Sequence, residues 1–220
     1  MKRYGFMNII DCQVHVWLPD TPDRPILRGA ASPPHLDEPL RYDRLLEMMD
    51  EDSVARALLI PPSWEGDRID YPLEAAHRYP DRFSVVGRVA LDDPSTRRLL
   101  DSWDDEPALA GLRIFLQRPH EREWLRDGRA DAFWCEAERR GIPVMVHAAG
   151  VLDAMGEVAR RYPALVLLID HLGTAGMKTA SAGFDEAIRR TAALSVHPNV
   201  HLKLSSLPAY SVEAYPFRDV

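Results

Sequence analysis

Short apolar runs separated by amphipathic segments recur along the whole chain. Seven runs predict β-strands, at residues 7–16, 55–60, 83–91, 111–116, 143–147, 165–170 and 200–204. Between them, apolar residues at helical spacing predict helices at residues 42–49, 73–79, 130–140, 151–162 and 184–195. Strands that alternate with helices in this way are usually parallel and joined by helical crossovers. The pattern therefore predicts an α/β fold.

Polar residues stand at the ends of several of these strands. They are His15 on the first strand, Arg113 on the fourth, His147 on the fifth, His171 just past the sixth and Lys203 on the seventh. A doubly wound nucleotide-binding sheet would instead show a Gly-rich turn after an early strand, and neither G-x-G-x-x-G nor a Walker sequence occurs. A closed barrel gathers strand ends at one mouth. We therefore expect a (β/α)8 TIM-barrel type.

The first strand has an unusual polar face. In an extended strand alternate residues share a side, so Asp11, Gln13 and His15 should point the same way. The apolar pair Ile9 and Ile10 predicts that this strand is buried on both faces. Three converging polar groups in a buried strand point to a site.

Composition excludes several classes of partner. The 220 residues carry a formal net charge of -7 and no run of Lys or Arg, which argues against nucleic acid and anionic membranes and favours a small-molecule ligand. Two cysteines, Cys12 and Cys135, both within predicted elements, fit a reducing compartment. The amino terminus lacks the apolar stretch of a signal peptide, and no run approaches the ~20 residues that span a bilayer. We expect a cytoplasmic protein.

A long Pro-rich loop at residues 18–39 either covers a site or packs on the surface.

Several segments, taken in order, resemble one known family. The segment IDCQVHVW at residues 10–17 resembles its first-strand signature, GLRI at 111–114 its fourth strand and IDHLG at 169–173 its sixth. KLSS at 203–206 and YPF at 215–217 resemble the end of its seventh unit. The family is the amidohydrolase-related (amidohydrolase 2) group of TIM-barrel hydrolases, which includes metal-dependent decarboxylases and metal-free lactonases.

Two departures from the family pattern bear on the chemistry. Metal-binding members carry histidine at both ends of a first-strand H-x-H pair, and Gln13 occupies the first position here, where an amide is a poor zinc ligand. The cofactor is therefore left open between none and one divalent metal such as zinc, held by His15 and His147. The family's eighth strand carries an Asp that binds metal or deprotonates water, and this sequence stops after the seventh strand's loop. We expect one barrel domain over residues 1–220, either truncated or completed by something outside this sequence.

The resemblance and the strand positions together suggest roles for three histidines. His15 and His171 are the predicted catalytic residues, which would polarise a carbonyl or activate water. Each could instead be a hydrogen-bonded structural histidine. His147 is predicted to contact substrate or bind metal.

The remaining candidates have structural alternatives. Arg113 and Lys203 would hold a substrate carboxylate, or each would pair with a carboxylate of the protein, because an unpaired buried cation is costly. Gln13 and Trp17 are further predicted substrate contacts, although a tryptophan at a loop base is more often a packing residue. Asp170 should point away from His171, because adjacent strand residues face opposite ways.

These features lead to three functional hypotheses. The first is a hydrolase of a small carboxylated lactone, ester or amide, in which water attacks a polarised carbonyl. The second is a single-metal hydrolase or decarboxylase of the same family. The third is a catalytically inactive barrel that binds a ligand or a partner, with self-association left open because exposed strand edges favour it.

Overall fold

The structure is a computed structural model that describes residues 8–27, 34, 36–174 and 176–220. Within these residues the chain divides into two compact units. The first contains the described residues of Met1–Arg88 together with Trp103–Ala110, and the second contains Val89–Ser102 together with the described residues of Gly111–Val220. Each unit alternates strands with helices, which agrees with the predicted α/β class. The expectation of a single domain stays a prediction.

The first unit is built on parallel strands that pair in chain order. Its elements are β1 (Ile9–Val14), α1 (Tyr42–Glu51), β2 (Val54–Leu59), a 3-10 turn (Ser63–Glu65), α2 (Asp70–Arg78) and β3 (Phe83–Val89). β2 pairs in parallel with β1 and with β3. Helix α1 buries Tyr42, Leu45 and Met49, which recur at helical spacing and form its inward face.

The second unit repeats the same arrangement. Its strands are β4 (Leu109–Phe115), which begins in the first unit, β5 (Val144–His147), β6 (Leu167–Ile169) and β7 (Val200–Leu202). Its helices are α3 (Pro94–Asp101), α4 (Pro119–Glu123), α5 (Arg129–Arg140), α6 (Leu152–Arg161), α7 (Phe184–Ala193) and α8 (Leu207–Tyr210). β4, β5, β6 and β7 pair in parallel in chain order.

The predicted elements are present. Five of the seven strands are shorter than predicted, whereas β2 has the predicted length and β4 is one residue longer. All seven predicted strands and all five predicted helices have counterparts within a few residues, apart from Met7, which lies outside the described residues. The pattern missed α3, α4 and α8. α3 is charged, and it begins because the Asp93 carboxylate accepts a hydrogen bond from the Ser95 backbone N–H (2.7 Å) and Pro94 fits the first turn.

The expectation that β1 is buried on both faces is wrong. Ile9 is 40% exposed and Ile10 is 48% exposed. Among the described strands β1 pairs only with β2, so no neighbour covers its other edge. The register also slips between Asp11 and Val14, where three steps on β1 match two on β2. Such a bulge breaks strict alternation, so the shared face inferred for Asp11, Gln13 and His15 is not regular.

The side chains of β4 alternate between the apolar core and the face that carries the candidate site residue Arg113. Leu112 and Ile114 are fully buried in the apolar core, where each such side chain contributes roughly 1.5–3 kcal/mol. Arg113 and Phe115 alternate with them and therefore face the other side of the strand.

No helix in the described part of the chain has the length and apolar character needed to cross a membrane.

Candidate active site

The carboxyl ends of β4 and β5 bring a cation and two rings together. The strand register pairs Arg113 with Met145 and Phe115 with His147. The Arg113 guanidinium carbon lies 4.6 Å from the Phe115 ring centroid, within cation–π range. On the neighbouring strand the His147 ring stacks on Phe115, with centroids 5.3 Å apart and planes 27° apart. The register therefore builds a layered arrangement of guanidinium, phenyl and imidazole.

A buried carboxylate joins two buried cations, one of which is Arg113. Arg113 Nε donates to Asp170 Oδ2 (2.7 Å), and Lys203 Nζ lies 3.1 Å from Asp170 Oδ1. All three side chains are at least nine-tenths buried. Although burial alone would raise it, the pKa of Asp170 is lowered to about 2, mainly by Arg113 and then by Lys203. Two cations and one carboxylate leave a net positive charge, and a buried net charge favours an incoming anion.

The strand alternation expected for Asp170 and His171 does not occur. That expectation assumed that the strand continues through both residues, whereas β6 ends at Ile169. His171 and Leu172 then adopt left-handed backbone angles, with φ of 51° and 52°. A turn does not alternate faces as a strand does, so Asp170 reaches the cations while His171 approaches the His147 ring.

His171 is held from several sides. Its Nδ1 lies 2.8 Å from the Ser205 hydroxyl oxygen, and its ring meets the His147 ring edge-on with centroids 5.6 Å apart. The turn itself is fixed because the Leu172 N–H donates to the Lys203 carbonyl (3.2 Å). Gly173 completes it with φ of 66°; a Cβ there would lie 2.7 Å from both Leu152 and Thr191 side-chain atoms.

His147 and His171 are both neutral at pH 7. The pKa of His147 is lowered to about 4, chiefly by burial and then by the positive charge of Arg113. The pKa of His171 is also lowered, first by burial and further by Arg113 and Lys203, against the opposing effect of Asp170. Among the described residues the buried Nδ1 of His147 makes no hydrogen bond. Neutral imidazoles can accept a proton or donate a hydrogen bond to substrate.

The predicted residues of the first unit cluster around His15. Its Nδ1 lies 2.7 Å from the Ile60 carbonyl oxygen, and a carbonyl can only accept, so Nδ1 carries the proton and Nε2 is the acceptor nitrogen. The Trp64 ring packs edge-on against His15 with centroids 5.8 Å apart. Trp17 packs edge-on against Trp64 and is 1% exposed, so in this structure it is a core residue rather than an open wall. Gln13 is half-buried, and its backbone N–H donates to Asp11 Oδ1 (2.9 Å).

The loop that follows β1 holds Trp64 in place. Arg24 Nη1 lies 3.1 Å from each Glu65 carboxylate oxygen, and the Glu65 side chain is almost fully buried. The Leu27 N–H donates to the Trp64 carbonyl (2.8 Å). The described part of the long loop therefore packs against the residues beside His15, and residues 28–33 and 35 of that loop lie outside the described residues.

A family model described as Amidohydrolase matches residues 10–219, nearly the whole chain. The chain belongs to the amidohydrolase family. A curated relative, the L-fucono-1,5-lactonase of Burkholderia ambifaria, is 32% identical over 151 residues, which are 66% of this chain and 49% of the lactonase. The chain thus spans about half the length of this curated relative.

Solved structures of this family share the fold. An amidohydrolase from Burkholderia multivorans was solved with bound HEPES (TM-score 0.71, 22% identity, 94% of this chain and 75% of that one). Its zinc-bound form has TM-score 0.71, 24% identity and the same coverage. A probable 2-pyrone-4,6-dicarboxylic acid hydrolase from Acinetobacter baumannii, with citric acid bound, has TM-score 0.67, 21% identity, and covers 93% of this chain and 72% of that one. The predicted TIM-barrel class is confirmed, with seven of the eight strands among the described residues.

The described residues of this amidohydrolase do not fit a metal centre. No group of three or more His, Cys, Asp or Glu side chains is arranged to hold an ion in the part of the chain that the structure describes. Gln13 stands where metal-binding members carry histidine, and the Asp170 carboxylate is taken up by two cations. The assignment of His15 and His147 as metal ligands stays a prediction, and we derive no step through a metal.

The sequence analysis did not identify two features of the site, a serine and an ion pair. The first is Ser205, whose hydroxyl contacts His171. It belongs to the KLSS segment that begins at Lys203, and its position two residues after Lys203 was the sequence signal that could have identified it. The Arg24–Glu65 pair gave no signal, because its members are 41 residues apart and lie in irregular segments.

Proposed function

We propose that this amidohydrolase hydrolyses a small lactone that carries a carboxylate. The observation that carries the proposal is the net positive charge of the Arg113–Asp170–Lys203 cluster beside two neutral imidazoles. The relatives named for lactone or pyrone hydrolysis support the same class of substrate.

Arg113 is the proposed carboxylate-binding group. Among the described residues its guanidinium makes one hydrogen bond, through Nε, and this leaves the two terminal nitrogens for a substrate. A guanidinium fork matches a carboxylate in a bidentate geometry, which is stronger than a neutral hydrogen bond. The positive charge that remains after Asp170 is counted stabilises an anion at this position.

His171 is the proposed proton acceptor. Water attacks the lactone carbonyl, a new C–O bond forms, and His171 takes one proton from the water. Collapse of the tetrahedral intermediate breaks the ring C–O bond, and the proton returns from His171 to the ring oxygen that leaves. The products are an alcohol and a carboxylic acid on one open chain, which then ionises in solution.

A pair of matched lactones tests this proposal. The two compounds share a ring size and differ in one ring carboxylate, and hydrolysis is followed by proton release. We expect kcat/KM to be at least about 10-fold higher for the carboxylated compound, as a charge-assisted hydrogen bond implies. His171→Asn should lower kcat about 10²–10⁴-fold for the preferred compound, whereas His120→Asn, at an exposed position, should not. A folded protein that hydrolyses neither compound, or both equally, would overturn the proposal.

A further inference from the structure

The segment after β7 contacts two successive residues of the turn after β6. Lys203 pairs with Asp170, and Ser205, two residues further, lies with its hydroxyl oxygen 2.8 Å from His171 Nδ1. Both contacts lie within the second unit. Ser206 is also near, but its hydroxyl oxygen is 3.5 Å from the same nitrogen, beyond the usual 2.7–3.2 Å between a nitrogen and an oxygen in a hydrogen bond.

The backbone around His171 is held by hydrogen bonds, so the imidazole ring can move only by rotation about its side-chain bonds. The Thr174 hydroxyl donates to the His171 carbonyl (2.8 Å), and the Thr191 hydroxyl donates to the Leu172 carbonyl (2.7 Å). The Leu172 N–H donates to the Lys203 carbonyl. With the backbone fixed on these sides, the hydrogen bond to Nδ1 fixes the orientation of the ring.

The contact between Ser205 and His171 fixes which ring nitrogen faces the protein. The Ser205 hydroxyl can accept from a protonated Nδ1 or donate to a bare one. Among the described residues Nε2 makes no hydrogen bond, so Nε2 is the nitrogen left to accept a proton, and it must be bare to do so. Nδ1 then carries the hydrogen, which the Ser205 hydroxyl oxygen accepts.

We propose that Ser205 is a positioning residue that holds His171 in the Nδ1–H tautomer, so that Nε2 is the nitrogen that accepts the proton from water. The contact between Ser205 and Nδ1 stands on the geometry of the second unit alone. The tautomer and its catalytic consequence rest on the proposed lactone hydrolysis.

The tautomer can be read without any substrate. Nitrogen-15 NMR of the imidazoles at pH 7.5, with the His171 signals identified by their loss in His171→Asn, distinguishes a protonated from a bare ring nitrogen. We expect a protonated Nδ1 and a bare Nε2 in the wild-type protein. Ser205→Ala should shift both signals toward a mixture of tautomers, while Ser205→Thr, which keeps the hydroxyl, and Ser206→Ala should keep the wild-type pattern.

Kinetics of the same variants test the consequence. With the preferred lactone, Ser205→Ala should lower kcat about 10-fold or more, as loss of an orienting partner typically does, with little change in KM. Ser205→Thr should restore most of the rate. A wild-type His171 protonated on Nε2, or a Ser205→Ala spectrum identical to the wild type, would overturn the positioning role. If the spectra are as expected but no lactone is hydrolysed, the positioning role stands and the proposed function fails.

Discussion

Arg113 and Asp170 are 57 residues apart in the chain and form an ion pair buried from solvent, with Nε and Oδ2 2.7 Å apart. The pair joins β4 to the turn after β6, and Lys203 shares the same carboxylate from the end of β7. A carboxylate between two cations is stabilised in its ionised form, and these three groups together carry two positive charges and one negative charge. The pair therefore contributes both to folding and to the proposed recognition of an anionic substrate.

Removal of the shared carboxylate should destabilise the protein. Asp170→Asn leaves Arg113 and Lys203 buried without a counter-charge, and breaking a buried pair from one side typically costs about 3–5 kcal/mol. Urea unfolding followed by circular dichroism measures the free energy of unfolding. Asp153→Asn is the control, because Asp153 pairs with Arg190 on the surface at 3.4 Å and its loss should leave the midpoint unchanged. Equal midpoints for the two variants would contradict the prediction.

His147 should make stability depend on pH between about 6.5 and about 4. Its pKa is lowered from 6.5 to about 4, chiefly by burial and then by Arg113, so the unfolded chain binds a proton in this window that the native protein does not. Stability is then fully present above the unfolded pKa and is lost as pH falls through the window. His147→Gln should flatten this part of the profile in urea unfolding at pH 7.5 to 4.5. His120→Gln, an exposed histidine, should retain the wild-type slope, and a profile unchanged by His147→Gln would be evidence against the prediction.

Gly173 should be required for the turn that carries His171. Gly173 and Gly141 share a φ of 66°, which costs a residue with a Cβ roughly 1–2 kcal/mol. A Cβ at Gly173 would also approach Leu152 and Thr191 to 2.7 Å, whereas a Cβ at Gly141 meets nothing within 4 Å. Gly173→Ala should therefore lower the thermal midpoint more than Gly141→Ala does, and equal losses would show that the close contacts relax without cost.

His15→Asn tests the prediction, made from the family resemblance, that His15 takes part in turnover. We expect kcat on the preferred lactone to fall by about 10²-fold or more, with the circular dichroism spectrum unchanged. His77→Asn, which alters an exposed histidine beside Glu106, is the matched control of the first unit. Full activity of folded His15→Asn would contradict the prediction and leave His15 as a structural residue that binds the Ile60 carbonyl.

The local pattern was sufficient for the seven strands, for five of the helices and for the class of fold. Strands and helices follow from apolar spacing, and this spacing depends only on neighbours along the chain. The pattern missed α3, because the large apolar residues of this short helix are only Leu99 and Leu100, and its start depends on the cap at Asp93 and on Pro94. It also could not show that Ile9 and Ile10 are exposed, since exposure depends on which strand lies alongside.

By itself the sequence determined the order of the parallel strands, the family, and the residues at the strand ends, because each is a property of short segments. Only the tertiary structure decided that Asp170 faces Arg113 and Lys203, and that Ser205 meets His171. Those contacts join residues 57, 33 and 34 positions apart (170 − 113, 203 − 170 and 205 − 171). They depend on strand register and on a left-handed turn, which bring distant side chains within hydrogen-bonding distance and leave no periodic signal along the chain.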